Sequence, residues 1–341
     1  MNRSKKWERY RWYEALFGIN FLYERCGEDW LKELAAILKE QGQDYEELIP
    51  LWKRHLNRWT YETHIVGLMM MLKSEALTCD ILGEEYTDKA ERMYDVLHTY
   101  NNTVIGLITG DECLAGISPI HGTELCGVVE QMFSFETLFA QCGDRKWLDR
   151  MEPVVFNGLP AALTDDMWAH QYDQFSNQIA LKRFYGKPPF TANPDGCHLY
   201  AVDSLYGCCT SNHGQGWPKF ALSAFAHRGN TVYSLFAVPC ELTTDAQHIT
   251  VETNYPFEHS VRYTVEAKEA FTFQIRIPTC AEALTVNGTV ADGQTELRFN
   301  LTAGETKVIN VAFTATPHFV ARPNDLYAVQ WGPLVFSVPI R

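Results

Sequence analysis

Positive charge is scarce in this sequence of 341 residues: 29 Lys and Arg stand against 42 Asp and Glu, a net charge of −13. A chain this acidic repels a phosphate backbone, so nucleic acid is not an expected partner. Long apolar runs are missing as well. A stretch such as IVGLMMML at Ile65–Leu72 falls far short of the roughly 20 residues that span a bilayer, and no membrane partner is expected. The basic start MNRSKKWERYRWYE leads into no apolar signal region, being interrupted by Glu8 and Glu14, so the expected location is cytoplasmic. The ten cysteines lack the dense, regular spacing of a small secreted disulfide scaffold.

What is present is apolar and aromatic. Hydrophobic residues make up 46% of the chain, enough for two domains with a large core. Aromatics reach 13%, which serves a packed core or, on a surface, platforms for sugar rings. Two halves differ in period. Residues 1–228 read as helical: in WLKELAAILKEQ (Trp30–Gln41), Leu31, Leu34, Ile37 and Leu38 form one apolar face that Gly42 ends. Thr63–Leu77, Glu85–Tyr100, Gly122–Cys142 (with Thr123 as cap), Trp147–Phe156 and Asn212–His227 continue the series, and no strand-like alternation competes. After Gly229-Asn230, residues 229–341 read as short strands separated by turns such as Asn287-Gly288 and Asp292-Gly293. The expected fold class is therefore α and β in separate domains: an (α/α)6-barrel-type helical domain followed by an antiparallel β-sandwich. About eight helices are legible where a closed toroid needs twelve, so the barrel is expected to be incomplete.

Most cysteines sit singly among apolar residues, as buried thiols do. Cys126, Cys208 and Cys209 lie instead among Gly, Glu, His and Asn. The stretch YGCCTSN (Tyr206–Asn212) leaves three readings: buried thiols, halves of two disulfides, or ligands of one metal. Zinc takes thiolates and carboxylates in a tetrahedron. Glu124 and Cys126, two apart at the start of a predicted helix, and the adjacent Cys208 and Cys209, on a loop freed by Gly207, make a Cys3Glu set. A metal deprotonates a thiol that it binds, which makes a nucleophile. An acid is then needed opposite, and TGDE offers Asp111 and Glu112.

HGTELCGVVE (His121–Glu130), GCCTSNHGQGWPKF (Gly207–Phe220) and MWAHQYDQFSNQ (Met167–Gln178) resemble the glycoside hydrolase family 127 group, the β-L-arabinofuranosidases. The resemblance runs through essentially the whole chain. It implies an (α/α)6 barrel with β-sandwich domains, an oligosaccharide or plant-glycan substrate, and a retaining mechanism with a zinc-bound cysteine. It implies Zn2+ on Glu124, Cys126, Cys208 and Cys209, Cys208 as nucleophile, Glu112 as acid/base, and His64 and Tyr172 as sugar contacts. Thr210 stands where many members have Pro, and Leu125 where many have Thr, which marks a divergent subgroup. Two rival functions share these residues: a hydrolase of another plant-cell-wall sugar, and a non-catalytic, zinc-stabilised carbohydrate-binding protein. An exposed sulfur facing Glu112 separates catalysis from a closed structural site.

Overall fold

The computed structural model describes residues 6–54, 59–178, 180–183, 191, 193, 196–202 and 206–338. It divides into two compact units, 1–216 and 217–339, so the division falls within the helix Gly207–Leu222. The change of period at 228/229 comes later, after the first strand of the second unit, Phe225–Arg228.

The first unit is mainly helical. Asp29–Gln41 matches the expected element, with Leu31, Ala35 and Leu38 buried. Ala15–Cys26 and Ser74–Leu82 pack together, as do Ile65–Met71 and Leu125–Cys142. The last pair is close because Gly127 lies beside Ile65 and the Ser134 hydroxyl donates to the Met69 carbonyl at 2.6 Å. Lys73 is wholly buried and bridges Glu14 and Glu130, at 3.0 Å each. Breaking such a buried pair costs about 3–5 kcal/mol, so Glu130 anchors the helix that carries Cys126 rather than the chemistry.

This unit also holds a small sheet, which corrects the all-helical expectation. Gly110–Asp111, Cys113–Leu114, Gly122–Glu124 and Asp173–Phe175 form four strands. In space the order is Cys113–Leu114, Gly110–Asp111, Gly122–Glu124, Asp173–Phe175. Strands of two or three residues are too short to show a period of two, so the sequence hides them. The helix expected from Gly122 accordingly begins at Leu125, and Thr123 sits in a strand instead of capping.

The second unit is a pair of facing sheets. Ser260–Ala267, Gln247–Thr253 and Thr306–Thr314 belong to a six-stranded sheet; Phe271–Arg276, Glu296–Leu301 and Thr231–Ser234 belong to a four-stranded one. The alternating burial of Ser260–Ala267 is that of a strand with one face in a core. Tyr263 of one sheet meets Phe273 of the other edge to face at 5.6 Å. One pair departs from the antiparallel expectation: Thr231–Ser234 runs parallel to Phe271–Arg276. The chain between them crosses to the other sheet and returns, as a parallel pair requires. His318–Arg322, Leu326–Trp331 and Leu334–Phe336 form a further three-stranded sheet. Among the described residues no helix is long and apolar enough to cross a membrane.

Candidate metal centre and acid group

The small sheet positions the site. Glu112 is the apex between two strands that pair at Asp111 and Cys113. Its φ is +80°, a left-handed conformation that non-glycine residues adopt at a cost of about 1–3 kcal/mol. Its carbonyl accepts from the Ile65 amide at 3.0 Å, which ties the apex to the start of a helix. The Glu112 side chain is 32% exposed. Glu124 ends the third strand, and Tyr172 immediately precedes the fourth, its carbonyl accepting from the Leu125 amide at 2.8 Å.

The cysteine pair lies on a helix, not on the loop expected from sequence. Gly207 is the first residue of Gly207–Leu222, so Cys208 and Cys209 occupy its first turn. Gly207 is not among the positive-φ residues, and its freedom is not what brings the sulfurs together. Neighbours on a helix diverge by about 100°. The divergence leaves Cys209 wholly buried and Cys208 exposed. A helix N-terminus also favours a thiolate.

The donor atoms of Glu124, Cys126, Cys208 and Cys209 all lie within 4.8 Å of one another. Cys126 Sγ is 3.3 Å from Cys209 Sγ, and Cys208 Sγ is 3.9 Å from Glu124 Oε1. The edge of a tetrahedron with bonds of about 2.3 Å is about 3.8 Å, so the spacing suits one ion of that size. Charge points the same way. Burial, then Glu112 and Cys208, push the Glu124 carboxyl up to about 8. The neighbouring thiols of Cys126 and Cys209 hold Cys208 well below the usual thiol range, while Cys126 is driven up chiefly by Cys208. Four donors this close cannot all ionise unless a cation stands among them. The group can therefore hold a metal.

Tyr172 joins the two carboxylates. Its buried hydroxyl lies 3.0 Å from Glu112 Oε1 and 3.3 Å from Glu124 Oε2, and it accepts from Asn193 Nδ2 at 3.0 Å. With one proton it donates to one carboxylate at a time. Its ring stacks on Tyr206 at 3.9 Å. His64 flanks the other side, with Nε2 3.7 Å from Glu112 Oε2. Burial, then Arg11, lowers its pKa to about 3 against the opposing pull of Cys208, so the imidazole is neutral. Because Nδ1 accepts from the Gly67 amide at 3.0 Å, the proton resides on Nε2 and points toward Glu112. All seven residues singled out from the sequence thus lie in one neighbourhood.

Others were missed. Asp173 is fully buried, and neither carboxyl oxygen has a hydrogen-bond partner. Burial, then Asp111 and Glu124, raise its pKa well above the usual carboxylate range. Thr191 donates to Asp111, and His170 Nε2 lies 3.2 Å from the Thr210 hydroxyl, beside the cysteine pair. Gly122 is required here, since a Cβ on it would stand 2.0 Å from Asp173 Oδ1 and 2.5 Å from Phe175. Gly122→Ala should destabilise the protein by about 1–3 kcal/mol, read as a fall in urea midpoint at unchanged slope.

Comparisons with known proteins bear on the fold. Residues 231–307 match the family model of the middle domain of GH127 β-L-arabinofuranosidases. The GH127 β-L-arabinofuranosidase of Geobacillus stearothermophilus T6 is similar in fold over 94% of this chain and 57% of its own, with a TM-score of 0.66 at 17% identity. A glycoside hydrolase matches over 94% of this chain and 59% of its own (TM-score 0.65, 18% identity). A GH127 β-arabinofuranosidase matches over 94% and 55% (TM-score 0.64, 19% identity). No curated protein matches in sequence. The class defined is a helical domain followed by β-sheets on the scaffold of glycoside hydrolases. Within it the resemblance to glycoside hydrolase family 127 holds, in the family model for the sheet unit and in fold for nearly the whole chain. The chain spans under three fifths of the length of these structures.

Proposed function

We propose that this chain carries the catalytic centre of a retaining, β-L-arabinofuranosidase-like glycoside hydrolase, with Cys208 as nucleophile, Glu112 as acid/base and zinc on Glu124, Cys126, Cys208 and Cys209. The observation that carries this reading is the asymmetry of the cluster. Three donors are buried, whereas Cys208 is exposed, and Glu112, which shares the Tyr172 hydroxyl with Glu124, is 32% exposed. A purely structural site is closed, so this asymmetry disfavours a non-catalytic role.

Zinc, when bound, would supply the positive charge that lets the three sulfurs and Glu124 ionise together. The residues do the rest. Glu112 donates its proton to the glycosidic oxygen as the C–O bond breaks, and Cys208 Sγ bonds to the anomeric carbon. Glu112 then takes a proton from water, whose oxygen displaces the sulfur and leaves the sugar with retained configuration. Tyr172 holds Glu112 Oε1, and neutral His64 presents an N–H to Oε2 or to a sugar hydroxyl. The sugar is L-arabinofuranose on the strength of the resemblance.

The test is hydrolysis of a panel of nitrophenyl pentosides, β-L-arabinofuranoside among them, by zinc-loaded protein with and without chelator. Turnover that chelation removes and zinc restores is expected; no turnover by a folded, zinc-loaded protein sinks the proposal. Cys126→Ala should lower bound zinc from about one per chain to a small fraction, measured by plasma emission, and lower stability with it.

A further inference from the structure

Glu112 belongs to a closed loop of hydrogen bonds, most of which the proposed reaction does not use. Asp111, its neighbour in the chain, is buried and accepts from the Thr191 hydroxyl. The Thr191 oxygen in turn accepts from the Asn193 backbone amide at 3.0 Å and from the Cys197 thiol at 3.4 Å. A hydroxyl has one donor and two acceptor positions, so this one is fully engaged. Asn193 Nδ2 then donates to the Tyr172 oxygen at 3.0 Å, and that hydroxyl lies 3.0 Å from Glu112 Oε1. The loop thus runs from Asp111 through Thr191, Asn193 and Tyr172 back to Glu112. Thr191 and Asn193 are neither metal donors nor reacting groups.

What the loop controls is the direction of one O–H. The Tyr172 ring is buried and stacked on Tyr206 at 3.9 Å, so only its hydroxyl proton can turn. Three neighbours surround that proton: Glu112 Oε1, Glu124 Oε2 at 3.3 Å and Asn193. Asn193 Nδ2 has no lone pair to offer, so the oxygen accepts there and the proton turns to a carboxylate. Glu112 is the nearer of the two. Its Oε1 is thereby held as an acceptor, which leaves Oε2 to carry the proton that the acid gives up. A side chain 32% exposed has room to turn once that hold is lost. We propose that Thr191 and Asn193 are positioning residues for proton delivery: through Asp111 and Tyr172 they hold Glu112 in the orientation that protonates the glycosidic oxygen. The proposal rests on Glu112 being the acid/base. A misplacement of about 1 Å costs a reaction about 10²-fold, so bonds that do not touch the substrate still govern the rate.

The experiment compares zinc-loaded wild type with Asn193→Ala, Asn193→Asp, Thr191→Val and Thr191→Ser on two glycosides of one sugar. Methyl β-L-arabinofuranoside needs a proton on its leaving group; the dinitrophenyl glycoside does not. Asn193→Ala and Thr191→Val should lower kcat/KM about 10- to 50-fold on the methyl glycoside and less than about threefold on the dinitrophenyl one. Thr191→Ser, which keeps the hydroxyl, should recover most of the loss. Asn193→Asp keeps the shape of the side chain but offers Tyr172 an acceptor, which draws the hydroxyl proton away from Glu112. It should therefore lose more than Asn193→Ala on the methyl glycoside. Zinc per chain and the thermal midpoint, measured alongside, show which variants are folded; if Thr191→Val is not, the two Asn193 variants decide. Wild-type turnover with equal losses on both substrates, or with no loss, overturns the positioning role alone, as does a folded Thr191→Ser no better than Thr191→Val. No turnover of either substrate by wild type overturns the proposed reaction, and the positioning role with it.

Discussion

Cys208→Ser is expected to lower kcat by at least about 10⁴, with the fold and much of the bound zinc retained. The size follows from replacing a low-pKa sulfur with a hydroxyl that stays protonated and is a far weaker nucleophile. The selectivity follows from position. Cys208 is exposed in the first turn of its helix, so an oxygen in place of sulfur leaves no cavity and strands no buried group. Cys209 is the control. It is wholly buried and 3.3 Å from Cys126, so Cys209→Ser should lose zinc and stability together. The measurements are steady-state rates, zinc per chain and the thermal midpoint, made in parallel on both variants. Mass spectrometry of wild type quenched during turnover of a slow substrate should find a pentosyl adduct on the peptide containing Cys208. Activity within tenfold of wild type in a folded, zinc-loaded Cys208→Ser would remove this residue from the nucleophile role.

The two cysteines also show which parts of the molecule were legible in sequence. Their residue types and their pairing with Glu124 and Cys126 were readable, because few other arrangements give three sulfurs and a carboxylate polar neighbours. Their backbone was not. Adjacency argued for a loop, whereas a first helical turn holds both and divides them into a buried ligand and an exposed one. The strands of the second unit were readable because several run six residues or more with one face buried, as in Ser260–Ala267. The small sheet beneath Glu112 was not, since its strands have two or three residues. The same sheet explains the missed Asp173. It pairs with Glu124 across an antiparallel register, a closeness that no local pattern carries. Even the well-read helix Asp29–Gln41 differs in detail: Ile37, counted in its apolar face, is 44% exposed, and Ala35 is buried in its stead. Trp7 likewise comes from a distant segment to meet Trp59 and Tyr61, a closeness that exists only once the chain has folded.

Glu112→Gln should lower kcat/KM by about 10²–10⁴ on substrates with poor leaving groups. It should cost much less on a dinitrophenyl glycoside, whose phenolate departs without a proton. The amide keeps the shape of the side chain and can still accept from the Tyr172 hydroxyl, so the difference between substrates isolates proton transfer. Because the same group must later activate water, the dinitrophenyl substrate should show a burst of phenolate followed by slow turnover. Azide should speed that slow phase in Glu112→Ala and yield a glycosyl azide of retained configuration, seen by NMR. Equal losses on both substrates, or no azide effect, would take the acid/base role from this residue. A stability measurement gives the independent check. Glu112 holds φ at +80°, a conformation open to glycine, and its charge raises the pKa of the buried Glu124 nearby. Glu112→Gly relieves both the strain and the repulsion. In metal-free protein its thermal midpoint should therefore equal or exceed that of wild type while activity is lost. A residue kept in a strained conformation that the fold does not need is one retained for its chemistry, and a clear fall in the midpoint of Glu112→Gly would instead make Glu112 a structural residue of the turn.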